Sequence, residues 1–166
     1  MGLPSPFSFT NPLAPTPNPA HKSDEARVAF WEKQAERLSW GKAWDNAHTF
    51  QKPQVIGTDA EGIEEYSVPE IKWFEGGKLN VAYNCVDRHV EAGRGDKVAL
   101  YFEGEPGDRE AITYAELQRR IARAANGLLK LGVRKGDRVV IYLPVIPETI
   151  IFTLACARIG AIHSLV

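Results

Sequence analysis

Apolar residues recur at Val28, Trp31, Ala35 and Leu38, one stripe of an amphipathic helix. Ser23 stands where a cap belongs, and Asp24 and Glu25 follow it at the positive end of the helix dipole. From residue 41 to 79 the period fades. That stretch reads as irregular, with Trp40, Trp44, Trp73 and Phe74 as large anchors pinning it onto a bigger body. The pattern returns at Asn80, which can cap a helix through Glu91. Val81, Cys85 and Val86 then fall on its apolar side and Asp87, Arg88 and Glu91 on its exposed side, with Gly93 and Gly95 as the stop. Lys97–Glu103 is strand-like, Glu105-Pro106-Gly107-Asp108 is a turn, and Arg109–Thr113 returns as the partner strand. Thr113 and Glu116 make the T-x-x-E capping pattern. The helix behind it carries Leu117, Ile121, Ala124, Leu128 and Leu131, and ends at Gly132. Arg138–Leu143 reads as a buried strand, Pro147 opens a helix with Ile150, Ile151, Leu154, Ala155 and Ile159 on its apolar face, Gly160 stops it, and Ala161–Val166 begins another strand.

Strand, helix and strand joined by short links imply βαβ units and a parallel sheet, so the expected class is α/β, with about two such units. A parallel sheet needs helices on both faces. The last residues form an apolar strand with no turn or cap after it, so the sequence is expected to be part of a larger α/β protein whose sheet is incomplete here. At the other end, residues 1–20 hold six of the eleven prolines. Proline removes a backbone donor and fixes φ, so residues 1–22 read as a polyproline-like, unfolded tail. Such a tail can dock an aromatic groove or simply have no partner.

Composition narrows the chemistry. The 166 residues carry 20 Lys and Arg against 21 Asp and Glu, a formal net charge of −1, which lacks the basic excess of a nucleic-acid binder. The most apolar stretch, Arg138–Ile162, is interrupted by Pro144, Pro147, Glu148 and Arg158 and does not read as a membrane span. No Lys or Arg precedes Lys22, so the charged start of a signal peptide is missing, and Pro6 spoils a myristoylation site at Met1-Gly2. Two cysteines, Cys85 and Cys156, are too few for a disulfide framework and have no zinc spacing. A reducing, cytoplasmic setting is expected.

The motifs that could carry chemistry fall short. Gly76-Gly77-Lys78 resembles the end of a phosphate loop, but Lys72 stands where that loop needs Gly, and Leu79 where it needs Ser or Thr. Gly93-Arg94-Gly95 starts like a dinucleotide fingerprint, but Val98 replaces the third Gly and the stretch precedes a strand. Asp87-Arg88-His89 places an acid, a base and an imidazole in succession, but neighbours on a helix point apart. They read as a solvated face with a local salt bridge. His163 reads as a hydrogen-bonded structural histidine, and both cysteines as small buried hydrophobes. Arg119, Arg120, Arg123 and Lys130 give one helix a basic side, close to Glu110 and Glu116; a solubilising surface fits that pattern best, with a seat for nucleic acid or for the phosphates of CoA as the alternative. No catalytic, cofactor-binding or metal-binding residue is assigned.

Four runs together resemble a known family. They are W-F-E-G-G-K-L-N-V-A-Y-N-C-V-D-R-H (Trp73–His89), I-T-Y-A-E-L (Ile112–Leu117), G-V-R-K-G-D-R-V-V-I-Y-L-P-V-I-P-E (Gly132–Glu148) and L-A-C-A-R-I-G-A-I-H-S (Leu154–Ser164). They are similar to the N-terminal region of AMP-forming acetyl-CoA synthetases, in the adenylate-forming superfamily. The resemblance spans residues 24–166 in register; propionyl-CoA synthetases are similar enough to remain an alternative.

The resemblance implies an enzyme that joins acetate, ATP and CoA in two steps. Acetate attacks the α-phosphate to give acetyl-adenylate and pyrophosphate, with Mg²⁺ balancing phosphate charge, and the CoA thiol then displaces AMP after a small C-terminal domain rotates. The family's phosphate loop, acyl pocket, ribose-binding acids, catalytic lysine and CoA-binding arginines match no position here. ATP, CoA and Mg²⁺ are therefore expected of the full-length enzyme and not of this segment. The expected division is a tail at 1–22, an N-terminal extension at 23–79 and the truncated start of the large domain at 80–166. Besides substrates, the expected partner is the remainder of that domain, with no nucleic acid and no membrane. A non-catalytic binding module or split subunit, pairing through exposed strand edges, is the alternative.

Overall fold

A computed structural model describes residues 23–166. The proline-rich tail expected at 1–22 lies outside the described residues. The chain divides into two compact units, one made of residues up to Leu38 with Asp45–Glu75, the other of Ser39–Trp44 with Gly76–Val166.

The first unit begins with helix α1, Asp24–Ala35. Its cap is the expected one, since the Ser23 hydroxyl accepts the Ala26 amide at 3.1 Å. The helix stops before Leu38, so the apolar stripe is one turn shorter than its spacing suggests. Residues 46–75, within the stretch 41–79 expected to be irregular, carry four strands. Strands β1 (Asn46–Gln51) and β4 (Glu70–Glu75) pair antiparallel, and β2 (Val55–Thr58) pairs antiparallel with β3 (Glu64–Tyr66). Alternation was weak because little of this unit is buried: only Ala47 of β1 is fully enclosed and all of β3 is exposed. His48 packs against its cross-strand neighbour Trp73, ring centres 4.2 Å apart.

In the second unit the arm Ser39–Trp44 is fastened by backbone bonds to Lys78 and by Asn84, whose amide accepts from Ser39 N and donates to Ser39 O. Asn80 caps the following helical run as expected, accepting the Tyr83 amide at 3.2 Å. That run is not a plain α-helix. It contains π-helical turns at Tyr83–Asp87 and Val90–Arg94 and turns left-handed at Gly93 (φ 75°). A π-turn holds more residues than an α-turn, so an α-period assigns the wrong faces. Asp87, expected outside, is buried; Cys85, expected inside, is exposed; Val86 is buried as expected.

Strands β5 (Val98–Glu103) and β6 (Arg109–Thr113) form the expected hairpin. Helix α2 (Tyr114–Lys130) follows, capped by Thr113 Oγ on the Glu116 amide, with Gly132 left-handed just beyond its end. The Glu116 carboxylate does not return to close the capping box; it binds Arg119 and Arg120 instead. Strand β7 (Arg138–Ile141), helix α3 (Pro147–Ile159) and strand β8 (Ile162–Leu165) make one βαβ unit with β7 and β8 parallel. About two such units were expected. The difference arises because β6 pairs with β5 and has no ladder to β7 among the described residues. The class is α/β with an incomplete parallel sheet. Val86, Ile112, Leu117, Ile121, Ala125, Ile151 and Ala155 form the main core, and Ile141, Cys156 and Ala161 a second one under the parallel pair. Strand β7 was expected to be buried, yet Val140 is 68% and Tyr142 83% exposed; α3 covers one face of the pair and leaves the other open.

Candidate functional site

The polar cluster of the second unit lies where three helical elements meet. The Asp87 carboxylate receives two hydrogen bonds from the Arg158 guanidinium, both 2.8 Å, and one from Gln118 Nε2 at 2.7 Å. Asp87 comes from the π-turn, Gln118 from α2 and Arg158 from the last turn of α3. Beside them the Asn80 side chain donates to the Ala157 and Arg158 carbonyls at the C-terminus of α3. The Ala157 carbonyl also accepts the Gly160 amide, so Asn80 adds a second donor there and supplies one to Arg158. Burial pushes the Asp87 carboxyl upward, but the bonds from Arg158 and Gln118 outweigh it and hold it below the usual aspartate range. The cluster therefore carries a fixed ion pair, paired fork to carboxylate. It has no free proton acceptor for general-base work, and its chemistry is positional: it locks α3 to α2 and to the π-helical run.

The other residues singled out in the sequence are scattered. His89 is half-buried beside the Tyr114 ring at 5.2 Å; burial, with Arg94 and Arg88 nearby, keeps it below the ordinary histidine range and therefore neutral at pH 7. Asp87 and His89 make no joint site, and the partner of Asp87 is Arg158, not a local neighbour. On α2, Arg120 bridges Glu110 at 2.5 Å and Glu116 at 2.7 Å, and Arg119 also binds Glu116, so those two cations are committed to carboxylates. His163 is half-buried in β8 opposite Val139. Gly76 and Gly93 both adopt positive φ, the one just after β4 and ahead of the Asn80 cap, the other inside the second π-turn.

A groove of about 650 Å³ opens between the β5–β6 turn and the Pro144–Ile146 segment at the N-terminus of α3. Ligands of parallel α/β sheets gather at such carboxyl ends of strands. Here the lining includes Glu103, Glu105 and Asp108 and no Lys or Arg, and Glu148 occupies the first turn of α3. Glu103 is bridged by Arg109 at 2.7 Å, so Glu105 and Asp108 are the carboxylates that repel a polyphosphate there. The described residues also bring together no group of three or more His, Cys, Asp or Glu that could hold a metal ion, so no step through Mg²⁺ is assigned to them. The Asp87–Arg158 link escaped sequence reasoning because its members lie 71 positions apart. One signal was present: Arg158 is the lone charge in the run Thr149–Ile159 of an otherwise apolar helix.

Comparison with known proteins places this architecture. The model of the AMP-binding enzymes matches residues 86–166, and the model described as acetyl-coenzyme A synthetase N-terminus matches residues 20–85. The fold and the first match define the class: residues 86–166 belong with the AMP-binding enzymes. An acetyl-coenzyme A synthetase of Streptomyces avermitilis is 55% identical over 140 residues, covering 84% of this chain and 19% of that protein. One of Mycolicibacterium smegmatis is 53% identical over 146 residues, covering 87% of this chain and 14% of that protein. A solved acetoacetyl-CoA synthetase from Streptomyces lividans superposes with a TM-score of 0.67 at 28% identity, over 86% of this chain and 20% of that one. The chain belongs to the acetyl-coenzyme A synthetase family and corresponds to its N-terminal portion. It spans about a fifth or less of the length of these relatives.

Proposed function

We propose that this chain is the N-terminal part of an acetyl-CoA synthetase, a longer enzyme that converts acetate, ATP and CoA to acetyl-CoA, AMP and pyrophosphate. The 55% identity over 140 residues carries the reading. In it, residues 1–22 are a tail, 23–79 an extension and 80–166 the opening of the large domain. The chain contributes scaffold. Its ion pair fixes α3 beneath the first parallel strands, and no catalytic, cofactor or metal contact is assigned to its own side chains.

The open face of the β7–β8 pair supports this division of labour. Val140, Tyr142, Ile162 and Val166 are 68%, 83%, 57% and 73% exposed, and a parallel sheet is stable when both faces are covered. Further polypeptide of the same enzyme is the cover proposed. Acetate is preferred to propionate because the relatives of highest identity named above are acetyl-CoA synthetases. No helix among the described residues is long and apolar enough to cross a membrane, and a cytoplasmic location is proposed.

Pyrophosphate release tests the reading. The full-length product of the gene should release pyrophosphate on addition of acetate, ATP and Mg²⁺, and form acetyl-CoA when CoA is added. The isolated 166-residue chain should do neither. Turnover by the isolated chain would overturn the scaffold role; a full-length product faster on propionate would overturn the substrate.

A further inference from the structure

Strands β1 and β4 of the first unit pair Phe50 with Ile71 and His48 with Trp73. Side chains two apart on a strand share a face, and cross-strand partners lie about 5 Å apart, so these four form one continuous patch. The His48 and Trp73 rings are half-buried with centres 4.2 Å apart, while Phe50 is 49% and Ile71 61% exposed. Neighbouring charges turn away from it. Glu70 and Lys72 belong to the opposite face and bind each other at 2.5 Å, and the Glu75 carboxylate accepts from Thr49 Oγ1 of that same opposite face at 2.5 Å. Lys52, two positions past Phe50, borders the patch at its far end. A row of rings and aliphatic groups left in the open marks a contact surface.

The sequence supplies an occupant of matching chemistry. Residues 1–20 contain no Asp, Glu, Lys or Arg, and residues 1–19 precede both family matches. Pro12-Leu13-Ala14-Pro15 has the P-x-x-P spacing, continued by Pro17 and Pro19. Proline-rich segments of that spacing dock on aromatic-lined surfaces, and their fixed φ leaves little entropy to lose on ordering. A charged segment would have to desolvate its charges against the rings; this one has none. The tether reaches. Pro15 stands eight positions before Ser23, a span of up to about 26–29 Å. Helix α1, which Ser23 caps, has 12 residues, about 18 Å, and packs on β1 within the same compact unit. We propose that residues 12–19 of this chain dock on the Phe50, Ile71, His48 and Trp73 face of its own first unit. This does not depend on the enzymatic reading.

The test uses the full-length protein with a photo-cross-linker on the face, Phe50→p-benzoylphenylalanine, and a fluorescent synthetic peptide of residues 9–20. Light should join position 50 to residues 9–22. Pro12→Ala/Pro15→Ala/Pro17→Ala keeps length and charge and should reduce that product severalfold. Removing residues 2–22 should open the face. The peptide should then bind the shortened protein at least about tenfold more tightly than the intact one, which carries its own competitor at an effective concentration of about a millimolar. Ile71→Ser in the shortened protein should lose that binding, with unchanged amide exchange in β1 showing that the ribbon stays paired. Equal peptide binding by the intact and shortened proteins would overturn the proposal. So would a cross-link that ignores the proline substitutions, or the absence of any link to residues 9–22. Links found only elsewhere would mean that another part of the polypeptide, or a second copy, covers the face.

Discussion

Replacing Arg158 by Leu removes one half of a nearly enclosed ion pair and leaves the other half in place. The Asp87 side chain is 7% exposed and that of Arg158 31%. Deleting one partner of a buried pair costs about 3–5 kcal/mol, because the remaining charge is left without solvent or counter-ion. Arg158 reaches solvent and Gln118 still donates to Asp87, so the low end, about 3 kcal/mol, is expected here. That converts to roughly 150-fold faster opening of the region. Amide exchange in the full-length protein, read over residues 81–94 and 147–159, measures it locally. The pH dependence has a definite sign. In the native protein the Asp87 carboxyl sits below its ordinary value, so the pair stabilises above about pH 4 and fades as the pH falls through the lowered value. In R158L burial dominates and raises the carboxyl, so protonation relieves the variant as the pH drops. The variant-to-native exchange ratio should therefore shrink between pH 7 and pH 4. The double variant Asp87→Leu/Arg158→Leu should be less impaired than R158L, since no buried charge remains. A ratio under about threefold at pH 7, or one that does not change with pH, would refute the reasoning.

Other substitutions probe other parts of the fold. Ile121 is fully buried in the main core, and Ile121→Ala should destabilise the second unit by about 2–5 kcal/mol, read as a lower urea midpoint or faster exchange in α2. Gly160 caps α3 at φ 76°, and Gly160→Ala should cost about 1–2 kcal/mol from the left-handed backbone, the added Cβ also meeting Lys135 Cγ at 2.9 Å; exchange at the end of α3 reports it. Cys85 is exposed and Cys156 buried with its thiol pushed up by that burial, so an alkylating reagent at pH 8 should modify Cys85 promptly and Cys156 only on unfolding, as peptide mass mapping would show.

Local signals in the sequence survive into the structure where a single side chain settles a single backbone need. Ser23, Asn80 and Thr113 cap the helical runs they precede, and Gly132 and Gly160 take the left-handed turns that end α2 and α3. The β5–β6 hairpin and the β7–α3–β8 crossover are legible for the same reason, since turn residues and a change of period mark their ends. Strands β1–β4 were hidden because period-2 alternation is written by burial, and here most of both faces is wet.

The buried pair was hidden for a different reason. Which side of residues 81–94 faces inward depends on how many residues each turn holds, and the π-turns change that number without any proline, glycine pair or charge run to announce it before Gly93. Counted at 3.6 per turn, Asp87 belongs with Arg88 and Glu91 outside. Wound wider, it points at Arg158, 71 residues on. A lone arginine on an apolar helix and an aspartate on a miscounted one are each unremarkable alone. Only the fold that brings α3 against the π-helical run turns them into a single fixed contact, so the sequence contains both partners without containing the pairing.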